Sequence, residues 1–269
     1  MHTANTDSGL DPGFPRGERA EVADYALEVG MLSEGGRKHP VNEDHCGQLR
    51  VDATTVLVVV ADGVSTSPAG DTASRMAVEI TLRAFREQDP RTRIDLRLAR
   101  AVQKASIEIY DLAVVVPELR GMATTVTAVI VTRGRMLAAH VGDSRLYLVR
   151  GERTLQLTKD HTGRKSGPSR TVGRELLVAI DRLSRPLQQN DVLVICTDGL
   201  YNVVPDRDLG LLVTGLAPDD ACRALVDAAV ARQSHDNTTA AVIRLVGPIP
   251  DAEPGSVPGR LLRLLTRPR

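Results

Sequence analysis

The sequence predicts an α+β protein whose sheets are largely antiparallel and are flanked by helices. Short segments rich in Val, Ile and Leu, bounded by Gly, Asp or Asn, recur along the chain as strands do. Two longer segments instead follow the helical period. Gly134 and Gly151 lie in short turns between strand-like segments, which is typical of antiparallel hairpins. The elements come in blocks rather than in strict strand–helix alternation, which argues against a parallel βαβ sheet.

The predicted elements run from residue 26 to residue 245. The strands are residues 26–32, 55–61, 124–132, 136–141, 145–149, 191–196 and 240–245. The first helix is 71–88, where Ala73, Ala77 and Ile80 share one face and Asp71 is placed to cap the helix. The second helix is 94–112 and a third covers 219–232.

The two ends of the chain differ from the part between them. Residues 1–20 are polar and contain Gly and Pro, so we expect a flexible segment there. Residues 247–269 form a Pro-rich linker and a basic tail in which Arg alternates with Leu. That tail is interpreted as disordered, with a weak docking segment as the alternative. A single domain is therefore expected over residues 21–246.

Composition excludes several classes of function. The 34 Lys and Arg residues balance 34 Asp and Glu residues, and aromatic residues make up 2% of the chain, so a nucleic-acid surface is not expected. The longest fully apolar run, residues 56–61, is too short for a membrane span, and the N-terminus has no apolar signal region. Cys46, Cys196 and Cys222 lack CxxC spacing, which favours a reducing, cytoplasmic compartment.

Acidic residues follow or precede strands at five places in the chain. These are Glu43–Asp44, Asp62, Asp143, Asp198 and Asp236. A single Asp-Gly pair after a strand is usually only a turn, but an ionised carboxylate at a buried strand end is costly unless it is paired or binds a metal. Oxygen ligands suit Mg²⁺ or Mn²⁺, and two such ions can activate a water against a phosphoryl group. A metal-dependent phosphohydrolase is therefore one interpretation, with turns as the other.

Seven motifs occur in an order that resembles one known family. They are SEGG through NED (33–44), VVADGV through GDTAS (59–74), ATT (123–125), VGDSRLYL (141–148), QLTKDHT (156–162), TDGL (197–200) and DNTT (236–239). The sequence is similar to the metal-dependent PP2C-type (PPM) serine/threonine phosphatases, especially their bacterial branch. The resemblance implies a four-layer αββα fold, with a central sandwich of two antiparallel sheets, a helix pair on each outer face and a two-metal centre at one end.

The resemblance also implies a role for each acidic position. Asp62 would bridge two Mn²⁺ or Mg²⁺ ions, and the carbonyl of Gly63 would bind one of them. Asp198 and Asp236 would bind the first ion. Glu43 would bind the second ion, with Asp44 hydrogen-bonding metal-bound water. Asp143 matches a third, weaker site, and Asn237 would steady its neighbour.

Three features depart from the family. Many members have an Arg that binds the substrate phosphate at the position of His39, so His39 or Arg37 is the candidate for that role, with solvated loop residues as the alternative. Val64 stands where some members have a His acting as general acid. His161 or His235 is then an alternative acid, although a structural role is favoured for both.

The segment of residues 162–172 that corresponds to the family's flap is short and polar. Arg164, Lys165 and Arg170 could attract a phosphopeptide, but a solvated basic loop is favoured. The resulting expectation is a cytoplasmic, monomeric phosphatase acting on phosphoserine and phosphothreonine proteins, opposite a Ser/Thr kinase or its targets. The alternatives are a regulatory phosphatase dedicated to one partner, and a weakly catalytic phosphoprotein-binding module of the same fold. A nuclease or nucleotide hydrolase is disfavoured by the composition.

Overall fold

The computed structural model describes residues 25–37, 41–162 and 167–248 of the chain. These residues form two five-stranded antiparallel sheets packed face to face, with helices on both outer faces. The first sheet has the order β1-β10-β9-β6-β7 and the second has the order β2-β3-β4-β5-β8. The predicted α+β sandwich with antiparallel sheets is therefore confirmed.

The strands begin and end as follows. The first sheet contains β1 (Tyr25–Glu34), β6 (Arg145–Arg150), β7 (Arg153–Gln156), β9 (Val192–Cys196) and β10 (Thr238–Pro248). The second sheet contains β2 (Asp44–Asp52), β3 (Thr55–Asp62), β4 (Val126–Thr132), β5 (Arg135–Val141) and β8 (Asp181–Pro186).

The helices form one layer on each outer face. The pair α1 (Gly70–Glu87) and α2 (Ile94–Val115) covers the second sheet, and a 3-10 turn, Pro117–Leu119, follows α2. The other layer consists of α3 (Asp198–Tyr201), α4 (Asp206–Val213) and α5 (Pro218–Ala231). No helix of the described ranges is long and apolar enough to cross a membrane.

The apolar strands β3 and β9 lie between two packed layers, which explains why their sequences lack polar alternation. In β3, Val56, Val58 and Val60 face the other sheet, whereas Leu57 and Val59 face the helices α1 and α2. A strand buried on both faces needs apolar residues at every position. Because both faces of these two strands are covered, a charged side chain at the end of either strand is partly shielded from water.

The strands and helices missing from the sequence prediction are polar or short. β2, β7 and β8 lie at sheet edges, where partly exposed side chains obscure the pattern. α3 and α4 have only four and eight residues. The predicted strand 124–132 begins too early, since Thr124 forms isolated bridges instead. The predicted cap of α1 is wrong as well, because Asp71 lies inside the first turn, after Ala69.

Candidate metal centre

The five acidic places in the sequence meet at one end of the sandwich. Asp44 at the start of β2 pairs in register with Asp62 at the end of β3. Asp143 follows β5, Asp198 begins α3 just after β9, and Asp236 precedes β10, and hydrogen bonds from Thr197 and Thr239 to Asp44 bring the ends of β9 and β10 to the start of β2. Antiparallel pairing of these strands therefore gathers residues that are far apart in the sequence.

The turn after β3 is held tightly against its neighbours. The backbone N–H of Asp62 donates to Thr125 Oγ1 at 3.0 Å, and the Asp62 carbonyl accepts from Thr125 N at 2.8 Å. A Cβ on Gly63 would overlap the backbone of Gly70 at the start of α1. Gly63 is thus required by a close approach between two backbones, and this approach sets the direction of the Asp62 side chain.

Glu43 connects the start of β2 with two other loops of the site. Its backbone N–H donates to Asn237 Oδ1 at 2.9 Å, across 194 residues of sequence. Its carboxylate lies beside the first turn of α1, where a Cβ on Gly70 would come within 2.7 Å of Glu43 Oε1. The positive end of a helix dipole favours a carboxylate at that place.

Asp44 has the smallest exposed fraction of the carboxylates in this cluster. It is 3% exposed, and its Oδ2 accepts hydrogen bonds from the hydroxyls of Thr197 and Thr239, both at 2.8 Å. Burial raises the pKa of Asp44 to about 7, even though these two hydrogen bonds lower it. Asp44 is therefore held in one orientation, but its charge is not balanced by those contacts.

Mutual repulsion among the carboxylates reinforces the effect of burial. Burial first, and then the charges of Asp44 and Asp198, raise the pKa of Asp62 well above its ordinary value. Burial and the charge of Asp198 raise the pKa of Asp143 to about 6. Carboxylates that raise one another's pKa in this way are a set that a multivalent cation would stabilise.

The remaining two carboxylates are fixed by local contacts. Asp198 is the first residue of α3, and its Oδ2 accepts from Asn202 Nδ2 at 3.3 Å. Asp236 accepts from the backbone N–H of Asn237 at 2.9 Å. Within the described ranges, no group of three or more His, Cys, Asp or Glu side chains is already arranged to hold a metal ion.

The other predicted site residues lie around this cluster or outside it. Arg37 is exposed in the loop after β1, and His39 lies outside the described residues, as do Arg164 and Lys165. His235 is exposed. In the flap segment, residues 163–166 lie outside the described residues, and Thr162 and Pro168 on either side of them form an isolated bridge. Val64 donates its backbone N–H to the carbonyl of Ala123.

Several residues that shape the site were missed in the sequence. Thr197 and Thr239 hold Asp44, Thr125 holds Asp62, and Gly70 faces both Glu43 and Gly63. Each of them stands inside a motif that was quoted for its acidic residue or its order, such as TDGL or DNTT. Thr197 directly precedes Asp198 and Thr239 lies three residues after Asp236, but the side chain that each threonine contacts could not be read from the sequence.

A two-sheet sandwich with helices on both outer faces and a carboxylate cluster at one end is the arrangement that the sequence predicted for a metal-dependent phosphohydrolase. The comparisons agree, because the family model for protein phosphatase 2C matches residues 36–240. The chain therefore belongs to the protein phosphatase 2C family.

Named relatives support this membership. The chain is 33% identical over 205 residues to a serine/threonine phosphatase of Listeria innocua, covering 68% of this chain and 81% of the relative. The structure of the S. agalactiae serine/threonine phosphatase superposes with a TM-score of 0.74 at 27% identity, covering 81% of this chain and 98% of that one. The catalytic domain of the phosphatase PstP, solved with two manganese ions, has a TM-score of 0.72 at 26% identity and covers 82% and 99%.

Proposed function

We propose that the chain is a metal-dependent protein phosphatase that hydrolyses phosphoserine and phosphothreonine. The observation that carries this proposal is the gathering of buried and half-buried, mutually repelling carboxylates at one end of a protein phosphatase 2C fold. A cluster of oxygen donors in which several pKa values are raised fits hard divalent cations such as Mn²⁺ or Mg²⁺. The two manganese ions of PstP support the same choice of cation.

The proposed ligands are those implied by the family motifs. Asp62 would help to hold both of two ions, and the carbonyl of Gly63 would bind one of them. Asp198 and Asp236 would bind the first ion and Glu43 the second. Asp143 is proposed for a third and weaker ion. Bound ions would supply a water activated at neutral pH and would offset charge on the phosphoryl group.

The chain's own residues orient this centre. Thr197 and Thr239 aim the Asp44 carboxylate, which is proposed to hydrogen-bond water inside the site. Asn237 holds the backbone of Glu43 and is 4% exposed. Arg37 is proposed to bind the substrate phosphate, and its exposure leaves it free to turn toward the cleft. His39 remains the other candidate for this role.

Turnover of two small substrates tests the proposal. Hydrolysis of p-nitrophenyl phosphate and of a phosphothreonine peptide is measured with Mn²⁺, Mg²⁺ or EDTA. We expect metal-dependent turnover that Asp62→Ala and Asp198→Ala both abolish. Asp208→Ala is the matched control, since Asp208 lies on the surface of α4 in an ion pair with Arg232. Activity that survives EDTA, or that Asp62→Ala leaves intact, would contradict the two-metal centre.

A narrower function is favoured by one feature, the short flap. The segment has eleven residues, 162–172, so little chain is available to cover a substrate. A phosphatase dedicated to one partner, which completes the cleft itself, would turn over that partner well and small peptides poorly. A phosphoprotein-binding module without turnover is the weaker alternative, because the acidic set is intact.

The remaining expectations are kept as proposals. We propose a single phosphatase domain over residues 21–246, a monomeric state, and a Ser/Thr kinase or its targets as the physiological counterpart. A cytoplasmic location fits the free thiols of Cys46, Cys196 and Cys222. The termini before residue 25 and after residue 248 lie outside the described residues.

A further inference from the structure

His161, in the QLTKDHT motif, is a buried histidine with hydrogen bonds on both ring nitrogens. It is 8% exposed, its Nδ1 lies 3.0 Å from the backbone N of Gly142, and its Nε2 lies 3.1 Å from Asp181 Oδ2. A backbone N–H can only donate, so Nδ1 must be the acceptor. The ring proton is then on Nε2 and is donated to Asp181.

This tautomer is incompatible with proton transfer from Nδ1 to a substrate. A proton on Nδ1 would face the N–H of Gly142 and break that hydrogen bond. Arg170 Nη1 also lies 3.0 Å from Nε2, but its hydrogen bond goes to Asp181 Oδ1 at 2.7 Å. His161 therefore holds other groups in place rather than supplying an acid.

The group that His161 holds most firmly is Gly142. The Gly142 carbonyl accepts from the backbone N–H of His161 at 2.8 Å, so both backbone groups of Gly142 bond to the same residue. Gly142 has a φ of 113°, and a Cβ there would lie 2.5 Å from Thr125 Cβ. The next residue is Asp143, so the backbone conformation that only a glycine can adopt here sets the point from which the Asp143 side chain leaves the chain.

The opposite side of His161 is attached to the segment that follows the flap. Ser169 donates to the His161 carbonyl through its backbone N at 2.6 Å and through its hydroxyl at 3.0 Å. Arg170 donates to Asp181 Oδ1 and to the carbonyl of Ala179 at 3.2 Å. His161 thus lies between the loop of Asp143 and the chain that returns from the flap.

We propose that His161 is a positioning residue for Asp143, acting through the hydrogen bond from Gly142 N–H to Nδ1. The bond from Nε2–H to Asp181 orients the ring so that Nδ1 points at Gly142. This proposal rests on the proposed function, in which Asp143 belongs to the metal centre. It adds the residue that fixes Asp143, and both ring nitrogens of that residue are already engaged in hydrogen bonds.

Two amide substitutions separate the two hydrogen bonds of the ring. The amide oxygen of Asn reaches the position of Nδ1, so His161→Asn keeps an acceptor for Gly142 and loses the donor to Asp181. The longer amide of Gln reaches the position of Nε2, so His161→Gln keeps the donor and loses the acceptor. Both replacements are polar and uncharged, which makes each the control for the other.

Calorimetric titration with Mn²⁺ is the deciding measurement, because it does not depend on turnover. We expect His161→Gln to weaken Mn²⁺ binding at the weakest resolved site by about 10- to 100-fold, and His161→Asn to stay within about 3-fold of the wild type. Hydrogen exchange at the Gly142 amide in the metal-free protein should speed up in His161→Gln only.

The outcomes that overturn the proposal are equally specific. Equal Mn²⁺ binding in His161→Gln and the wild type would do so, as would equal losses in both variants. If His161→Gln fails to fold, Asp181→Asn replaces it: loss of the carboxylate that orients the ring should weaken Mn²⁺ binding at the weakest resolved site by about 10-fold relative to the wild type, and equal binding would overturn the proposal. Mn²⁺ binding without turnover in the wild type would refute the proposed function and leave this inference standing.

Discussion

Neutralising Asp44 is expected to stabilise the metal-free protein while removing its response to metal. Asp44 is 3% exposed, and burial raises its pKa from 3.8 to about 7. In the folded protein the uncharged form is favoured, so the stability that Asp44 contributes is present below pH 4 and is lost as the pH rises through about 7. At pH 8 the ionised carboxylate therefore costs the folded state on the order of 4 kcal/mol.

Asp44→Asn removes this charge but keeps an oxygen that can accept from Thr197 and Thr239. In EDTA at pH 8, we expect the free energy of unfolding to rise by several kcal/mol, on the order of the 4 kcal/mol that ionisation costs. With Mn²⁺ the order reverses, because the wild type gains stability from the bound ions and the variant gains less. Urea unfolding followed by circular dichroism, with and without Mn²⁺, measures both effects.

Asp191 provides the matched control for this experiment. Its side chain is fully buried and is paired with Arg150 through two contacts of 2.8 Å. Asp191→Asn breaks a charge-assisted pair, so we expect a loss of roughly 2 kcal/mol that Mn²⁺ does not change. The reasoning is refuted if Asp44→Asn destabilises the metal-free protein at pH 8, or if both variants respond to Mn²⁺ in the same way.

Three further changes have expected outcomes. Gly63→Ala would place a Cβ against the backbone of Gly70 at the start of α1. We expect the free energy of unfolding, measured with urea, to fall by roughly 2 kcal/mol or more and turnover to be lost. Wild-type stability and turnover would contradict the close approach of the two backbones. Arg145→Lys loses both the bidentate hydrogen bonds to Asp160 and the stacking at 3.8 Å on Tyr201. We expect the free energy of unfolding to fall by about 1–3 kcal/mol, and an unchanged midpoint of urea unfolding would contradict this. Removal of metal by EDTA should lower the melting temperature more at pH 8 than at pH 5.5. Burial raises the pKa of Asp143 to about 6, and a protonated carboxyl group does not bind a metal ion. An equal change in melting temperature at both pH values would contradict the acidic centre.

Much of the fold followed from local pattern. The apolar segments of β3 and β9 predict buried strands because both faces of each strand are covered, and Gly134 and Gly151 predict hairpins because both adopt positive φ in their turns. The edge strands β2, β7 and β8 were not predicted, although the edge strand β1 was. β8 has the sequence DRLSRP, with exposed and partly buried side chains in alternation, and no local feature distinguishes it from a loop.

The candidate site, like the fold, could be predicted only in part from the sequence. The sequence by itself determined the acidic positions, since Asp62 and Asp198 each end an apolar strand in an Asp-Gly pair, and the order of the motifs indicated the family. Only the tertiary structure decided which side chains act together. The hydrogen bonds of Asp44 to Thr197 and Thr239 join residues more than 150 positions apart.

The role of His161 shows why this division exists. Its place in the KDHT sequence left both an acid and a structural residue open, because a tautomer is set by the partners of the two ring nitrogens. Of those partners, Gly142 directly follows β5 and Asp181 begins β8, so they meet His161 only when these two strands of the second sheet have paired. Residue types and the local spacing of apolar residues can be read from the sequence. Hydrogen bonds between distant residues, and repulsion among the carboxylates, arise only after the strands have packed.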